Sequence, residues 1–165
     1  MAEKKKILYI VEAMGGGVFT YIVDLANELV NKYDMYIAYA VRKQTPKNYK
    51  DYFDKRIHLI EVKNFGRAID PVKDIAAFFE VKKIAAEIKP DIIHLHSSKA
   101  GAIGRMAFNG KIPMFYVPVY YEPFSYAKEN DEVDLYRTSY RLNSECKQAI
   151  REASLSRLLP NTKGS

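Results

Sequence analysis

The sequence is poor in the residues that form disulfides and metal clusters. Its single cysteine, Cys146, excludes an internal disulfide and a thiolate metal cluster. The three histidines, His58, His94 and His96, do not follow a zinc-ligand spacing. We therefore expect neither a structural metal nor a bound cofactor.

Long apolar runs are also missing. No window approaches the roughly 18 consecutive apolar residues of a membrane span. The opening MAEKKK lacks the apolar core of a secretory signal. A chain of 165 residues with 48% hydrophobic content is long and apolar enough for one globular domain over residues 1–165. We expect that domain to be cytoplasmic.

A long run of one charge sign is absent too. The 26 basic residues are interspersed with 20 acidic ones, which argues against nucleic-acid binding although the net charge is +6. A surplus of this size suits anionic small ligands, such as sugar nucleotides or diphosphate lipids, and the surface of an anionic bilayer. We therefore expect those partners and the inner face of the cell membrane rather than DNA or RNA.

What the sequence does contain is a regular alternation of strand and helix patterns. Five short runs rich in β-branched and aromatic residues are separated by helical patterns: 7–11, 35–41, 57–62, 91–96 and 114–120. This alternation predicts an α/β fold, a Rossmann-like open parallel sheet with helices on both faces. Right-handed crossovers on either side of strand one give the spatial order 3-2-1-4-5.

Apolar spacing places the helices. In the first, one predicted buried face comprises Phe19, Ile22, Val23, Ala26, Leu29 and Val30. A second spans 74–89 and stops before Pro90, and its predicted stripe comprises Ile75, Phe78, Val81, Ala85 and Ile88. A third runs over 99–109 with Gly110 as a left-handed cap, and a last covers 144–158.

Three consecutive glycines, Gly15, Gly16 and Gly17, follow strand one and open the first helix. In a doubly wound sheet this position borders the ligand crevice. Bare backbone N–H groups at a helix start bind a phosphate or a sugar hydroxyl, because glycine permits close approach. The alternative is that the glycines only relieve a tight turn. We favour a ligand role.

The segment HLHSSKAG after strand four adds polar candidates. Alternation sends His94 and His96 to the same side, and His96 lies last, at the crevice. His94, deeper in the strand, is expected to be a core histidine. Ser97, Ser98 and Lys99 stand at the strand's exit, where the serines can cap the next helix. Arg105, further along that helix, is either a surface cation or a contact to a ligand phosphate.

Dinucleotide binding is a third-ranked alternative. Counting from Gly15, the third glycine of Gly-x-Gly-x-x-Gly falls on Thr20, and no acid follows strand two. Arg42 stands there instead and suits a 2′-phosphate, which keeps an NADP-dependent oxidoreductase open. The P-loop pattern is absent.

Taken together, KKILYIVEAMGGGVFTYIVDLANEL, PDIIHLHSSKAGAIGRMAF and IPMFYVP resemble the amino-terminal domain of GT-B glycosyltransferases of family GT4, especially those building bacterial capsular or exopolysaccharides. The resemblance covers about residues 5–118. It implies one half of a GT-B fold, with Gly16, Gly17 and His96 near the donor diphosphate and the acceptor. It also implies a retaining hexosyltransferase that uses a nucleotide-sugar donor and a glycan or lipid-linked acceptor.

The sequence departs from that family after strand five. The family commonly continues with His-Gly after the proline, but here Pro118 is followed by Val119, and Glu122 is the nearest ionisable candidate for a catalytic role. The family's second, donor-binding domain is absent from these 165 residues. We therefore expect a half-enzyme that is inactive alone. A non-catalytic binding module of the same fold is the second interpretation.

Overall fold

The protein's fold is taken from a computed structural model that describes residues 4–12, 14–66, 68–109 and 111–117. The predicted helix over 144–158 and the candidate Glu122 lie outside these residues. Within them the chain forms five strands and three α-helices.

The strands are β1 (Lys6–Val11), β2 (Asp34–Tyr39), β3 (His58–Glu61), β4 (Ile92–His96) and β5 (Met114–Val117). Every neighbouring pair is parallel. The order is β3-β2-β1-β4-β5, which confirms the predicted arrangement. Strands two and three end before their predicted limits, at Tyr39 and Glu61.

The first helix, α1 (Gly16–Leu29), buries the face that its apolar spacing predicts. All six predicted core residues are at most 9% exposed, and Leu25 joins them at 0%. Between β2 and β3 the predicted loop region contains one short 3₁₀ helix, Tyr49–Tyr52. The period-3.6 pattern was therefore sufficient to identify the buried side of α1.

The second helix, α2 (Pro71–Ile88), begins three residues earlier than predicted. Asp70 accepts a hydrogen bond from the backbone N–H of Lys73, and proline suits the first helical position because its missing N–H needs no partner there. The predicted inward position of Ile75 is wrong, since its side chain is 60% exposed. Ala77 and Ile84 are buried instead.

The third helix, α3 (Ser98–Phe108), starts and ends one residue before its predicted limits. Its left-handed cap is Asn109, with φ 42°, rather than the predicted Gly110, which lies outside the described residues. Asparagine tolerates this conformation because its short side chain bonds locally. Two glycines let α3 lie close to the sheet: a Cβ at Gly101 would stand 2.5 Å from the Tyr116 ring, and one at Gly104 would collide with Leu95.

The two faces of the sheet differ in chemistry. Leu8, Ile10, Ile93 and Leu95 pack with α2 and α3 in an apolar core. The intervening residues of β1 and β4 face the other way, because side chains alternate along a strand. There Tyr9, His94 and His96 form ring contacts beneath Tyr21 of α1. Helices therefore cover both faces, and the α1 side carries the polar aromatic residues.

Candidate functional site

The candidate site lies at the carboxyl ends of β1 and β4, where the strand order reverses. The last residue of β1, Val11, pairs with Tyr39 on one side and His96 on the other. The glycine turn, Gly15 to Gly17, follows β1, and the HSSK segment follows β4. Ligands of open parallel sheets bind in this crevice.

The three residues of the glycine turn are glycines for three different reasons. Gly15 is buried beside the next loop, since a Cβ there would stand 2.7 Å from Gln44 Cγ. Gly16 has φ 60°, the left-handed region that side chains disfavour. Gly17 is different, because no heavy atom of the described residues lies within 4 Å of its would-be Cβ. Packing explains the glycine at position 15 and backbone conformation explains the one at 16, whereas neither explains Gly17.

The start of α1 lacks a neutralising group among the residues that the structure describes. Gly15 is the cap residue and supplies no side-chain hydrogen bond, and the first turn contains no acidic residue. The first N–H groups of a helix have no partner within the helix, and they carry the positive end of its dipole. The first turn of α1 is therefore suited to an anionic or hydroxyl-bearing ligand.

A partly buried ion pair supports the glycine turn from the side of β2. Arg42 Nη2 lies 2.5 Å from Glu12 Oε1, and both side chains are 16% exposed. The backbone N–H of Met14 bonds to the carbonyl of Ala40 at 3.2 Å. Sequence analysis missed this pair, whose only signal is an acid after strand one and a base after strand two. Because Nη2 of Arg42 is already paired with Glu12, this contact argues against Arg42 as a 2′-phosphate ligand.

His94 and His96 are both fully buried on the α1 side of the sheet. Their ring centroids are 4.1 Å apart, and the His96 ring lies 5.5 Å from that of Tyr21. Neither ring nitrogen of His96 has a hydrogen-bond partner within the described part of the chain. Tyr21 follows Gly17 by four residues, so it lies one turn below on the same helix face. His96 thus lies beneath the surface, in contact with a side chain of α1.

Burial sets the protonation state of this pair. It lowers the pKa of His94 to about 3. Burial, reinforced by His94, also lowers the pKa of His96 well below its usual value. Both rings are therefore neutral near pH 7. A neutral His96 accepts a hydrogen bond from a hydroxyl at one nitrogen and donates one at the other.

The residues after β4 divide into different roles. Ser97 caps α3, as predicted, by accepting a hydrogen bond from the backbone N–H of Ala100 at 3.3 Å. It does so at φ 93°, a backbone angle that non-glycine residues rarely adopt. Ser98 is exposed on the first turn. Lys99 is engaged with protein oxygens of Gly66, Ala68 and Asp74.

Arg105 lies apart from the crevice. Its guanidinium stacks on the Tyr116 ring, with its central carbon 4.9 Å from the ring centroid. It stands about 10 Å along α3 from Ser98, on the way to the opposite edge of the sheet. The geometry favours the interpretation of Arg105 as a surface cation.

In the part of the chain that the structure describes, no helix is both long and apolar enough to cross a membrane. The same residues contain no group of three or more histidine, cysteine or carboxylate side chains placed to hold a metal ion.

The chain is similar to known proteins in both sequence and structure. A family model described as Glycosyltransferase Family 4 matches residues 15–145. The chain is 37% identical over 57 residues to UDP-Gal:alpha-D-GlcNAc-diphosphoundecaprenol alpha-1,3-galactosyltransferase of Escherichia coli, a match covering 34% of this chain and 15% of that protein. The chain thus spans a small part of that relative.

Solved structures show the same fold. The apo form of the lipopolysaccharide outer core galactosyltransferase WaaB matches with a TM-score of 0.56 at 18% identity, over 68% of this chain and 33% of that one. A UDP-N-acetylglucosamine 2-epimerase matches with a TM-score of 0.56 at 18% identity, over 74% and 37%. At these identities the likeness shows a Rossmann-like α/β architecture. Since the family model spans most of the sequence, the chain belongs to glycosyltransferase family 4.

Proposed function

We propose that this chain is the acceptor-side half of a retaining, metal-independent hexosyltransferase of capsular or other cell-surface polysaccharide synthesis. It moves a sugar from a nucleotide-sugar donor to a glycan or lipid-linked acceptor. Family membership supports glycosyl transfer. The name of the E. coli relative supports a lipid-linked acceptor, because that enzyme acts on a diphosphoundecaprenol compound.

The observation that carries the proposal is the open first turn of α1 at Gly17. The other two helices cap themselves with Asp70 and Ser97, whereas α1 presents uncapped N–H groups to free space. A diphosphate or a sugar hydroxyl satisfies these donors and interacts favourably with the helix dipole. His96, at the end of the neighbouring strand β4, is a second candidate contact, because neither of its ring nitrogens has a hydrogen-bond partner among the described residues.

The donor contacts belong to a second domain in this proposal. The chain spans 33% of the WaaB structure, and transfer requires donor and acceptor to be aligned with water excluded. We therefore expect the 165-residue chain to show no transfer by itself. An assay with radiolabelled UDP-sugars and a short-chain polyprenyl-diphosphate sugar tests this, and turnover by the purified chain would contradict it.

Ligand binding gives a test that does not depend on turnover. We expect the polyprenyl-diphosphate sugar to shift the backbone amide resonances of Gly16 and Gly17 in ¹⁵N NMR spectra, and NADP to leave them unchanged. Shifts with NADP alone would favour the oxidoreductase alternative. Tight binding without transfer in the full-length protein would favour the non-catalytic module, for which the missing His-Gly after Pro118 is the sequence argument.

We also propose that α2 rests on the inner face of the cell membrane. Val72, Ile75 and Phe79 are 78%, 60% and 62% exposed along one side of this helix. Lys82 and Lys83 follow on its exposed surface, and cationic residues beside an apolar row favour anionic bilayers. Sedimentation with phosphatidylglycerol vesicles tests this. We expect Phe79→Ser to bind these vesicles less than the parent chain, and the parent to bind phosphatidylcholine vesicles less than phosphatidylglycerol vesicles. Equal binding in all three measurements would refute membrane contact through α2.

A further inference from the structure

The Lys99 ammonium makes its contacts inside the protein. Its Nζ lies 2.7 Å from the carbonyl oxygen of Gly66, 2.6 Å from that of Ala68 and 2.6 Å from Asp74 Oδ1. A lysine ammonium has three donors, and three oxygens surround this one. We call Lys99, Asp74 and these two carbonyls the Lys99 clamp.

The Lys99 clamp joins three separate segments of the chain. Lys99 stands in the first turn of α3, Asp74 in the first turn of α2, and Gly66 and Ala68 in the loop between β3 and α2. Asp74 Oδ2 also accepts a hydrogen bond from the backbone N–H of Asp70 at 3.2 Å. The loop begins at the edge strand β3, and the clamp brings its far end to the carboxyl end of β4. The loop over 63–70 is thereby held beside the candidate site.

The surroundings of this ion pair indicate that it contributes more than a surface contact. The Lys99 and Asp74 side chains are 14% and 23% exposed, whereas the neighbouring Lys73–Asp70 pair, 3.8 Å apart, is 64% and 39% exposed. Bonds from a charged donor to carbonyl oxygens are stronger than neutral ones. Its contact with Lys99 lowers the pKa of the Asp74 carboxyl, so that carboxyl is ionised at neutral pH.

We infer that Lys99 is a positioning residue, which holds the 63–70 loop against the start of α3 and so shapes one wall of the acceptor crevice. The wall's role in acceptor binding rests on the proposed function, but the clamp's effect on the loop does not. The inference also explains why a lysine follows the two serines at the exit of β4. The Lys99 ammonium holds two carbonyl groups of the loop between β3 and α2 in place.

The test is a double-mutant cycle read by hydrogen exchange. In Lys99→Met and in Asp74→Asn we expect amide exchange of peptides covering 62–70 to accelerate about tenfold or more, because each change breaks a charged contact. In the double variant we expect little acceleration beyond that of Lys99→Met, since Asp74 acts on the loop through Lys99. Lys73→Met is the matched control on the same helix and should leave this exchange unchanged.

Acceptor affinity, measured by titration with the polyprenyl-diphosphate sugar, separates positioning from direct contact. If Lys99 positions the loop, Lys99→Met and Asp74→Asn weaken the acceptor by similar factors, and the double variant is no worse. A different result would overturn the inference: Lys99→Met lowers acceptor affinity, loop exchange stays unchanged, and Asp74→Asn binds the acceptor as the parent does. Lys99 would then contact the ligand directly. Unchanged exchange in both single variants also overturns it. If no acceptor binds the parent chain, the proposed function fails and the exchange data still decide the clamp.

Discussion

The starts of α1 and α3 lie side by side at the carboxyl edge of the sheet, yet they are built in opposite ways. α3 begins with a serine that caps it and a lysine bound to three oxygens. α1 begins with glycines, has no side-chain cap and has open space at Gly17. The start of α3 has a side-chain acceptor for a backbone N–H group. The start of α1 has no such cap from Gly15. The contrast supports the proposals that a ligand binds at the start of α1 and that the start of α3 orders a loop.

The same contrast applies to the glycines inside the two elements. Gly101 and Gly104 of α3 are places where a Cβ would meet Tyr116 or Leu95, so their role is packing. Gly17 meets nothing. Packing does not require a glycine at Gly17, where alanine would favour the helix, and this is consistent with the proposed ligand contact there.

The largest effect is expected from Gly17→Val in the full-length enzyme. A β-branched side chain projecting into the opening would obstruct the ligand, so we expect transfer to fall at least about 100-fold. The fold should survive, because no protein atom lies within 4 Å of the new Cβ. Transfer kinetics and thermal denaturation check this together. Loss of stability along with activity, or retention of both, would show that the glycine turn is only structural.

The next largest effect is a pH dependence of folding stability, caused by the buried His94 and His96 on the α1 side of the sheet. Burial depresses the folded-state pKa of His94 to about 3 and that of His96 well below its usual value. The unfolded chain therefore binds more protons below about pH 6.5, and stability falls as pH decreases from there. We expect losses of up to about 1.4 kcal/mol per pH unit for each histidine between pH 6 and 5.

Urea denaturation at pH 7, 6 and 5 measures this slope. His96→Leu removes one titrating group and should make the slope shallower. His58→Gln is the matched control, because the His58 side chain is 54% exposed on the edge strand β3. An unchanged slope in His96→Leu would mean that His96 does not remain neutral in the folded protein.

A pair of alanine substitutions compares the two kinds of glycine directly. Gly104→Ala should destabilise the fold by about 1–3 kcal/mol, because the added methyl collides with the buried side chain of Leu95. Gly17→Ala should stay within about 0.5 kcal/mol of the parent, since it enters open space. Chemical denaturation of both variants gives the comparison. Equal destabilisation would contradict the distinction between packing and access.

The smallest expected effect concerns the cap of α3. Ser97→Ala should cost about 1 kcal/mol, because the backbone N–H of Ala100 loses its acceptor. Ser97→Gly also loses the cap but relieves the strain of φ 93°, so it should be close to neutral. The ranking of the two unfolding midpoints is the measurement. A glycine variant less stable than the alanine variant would rule out backbone strain at this position.

The sequence by itself determined the strand order and the buried face of α1. Both follow from local periodicity and from the handedness of crossovers, which do not depend on distant contacts. It also predicted that the glycine turn and the HSSK segment would meet at one edge, because parallel strands end there together. The role of Ser97 as a cap was likewise readable, since a cap depends on residues three positions away.

Only the tertiary structure decided how the remaining side chains are used. The spacing of α2 predicted a buried stripe that included Ile75, but packing on α3 and the sheet leaves Ile75 outside and buries Ala77 and Ile84. Lys99 was predicted to contact a ligand, but loop 63–70 and α2 bring three oxygens to it. Arg42 pairs with Glu12, which lies 30 residues away in the chain. Such long-range charge pairs have no periodic signal, because they form only when folding brings separate loops together.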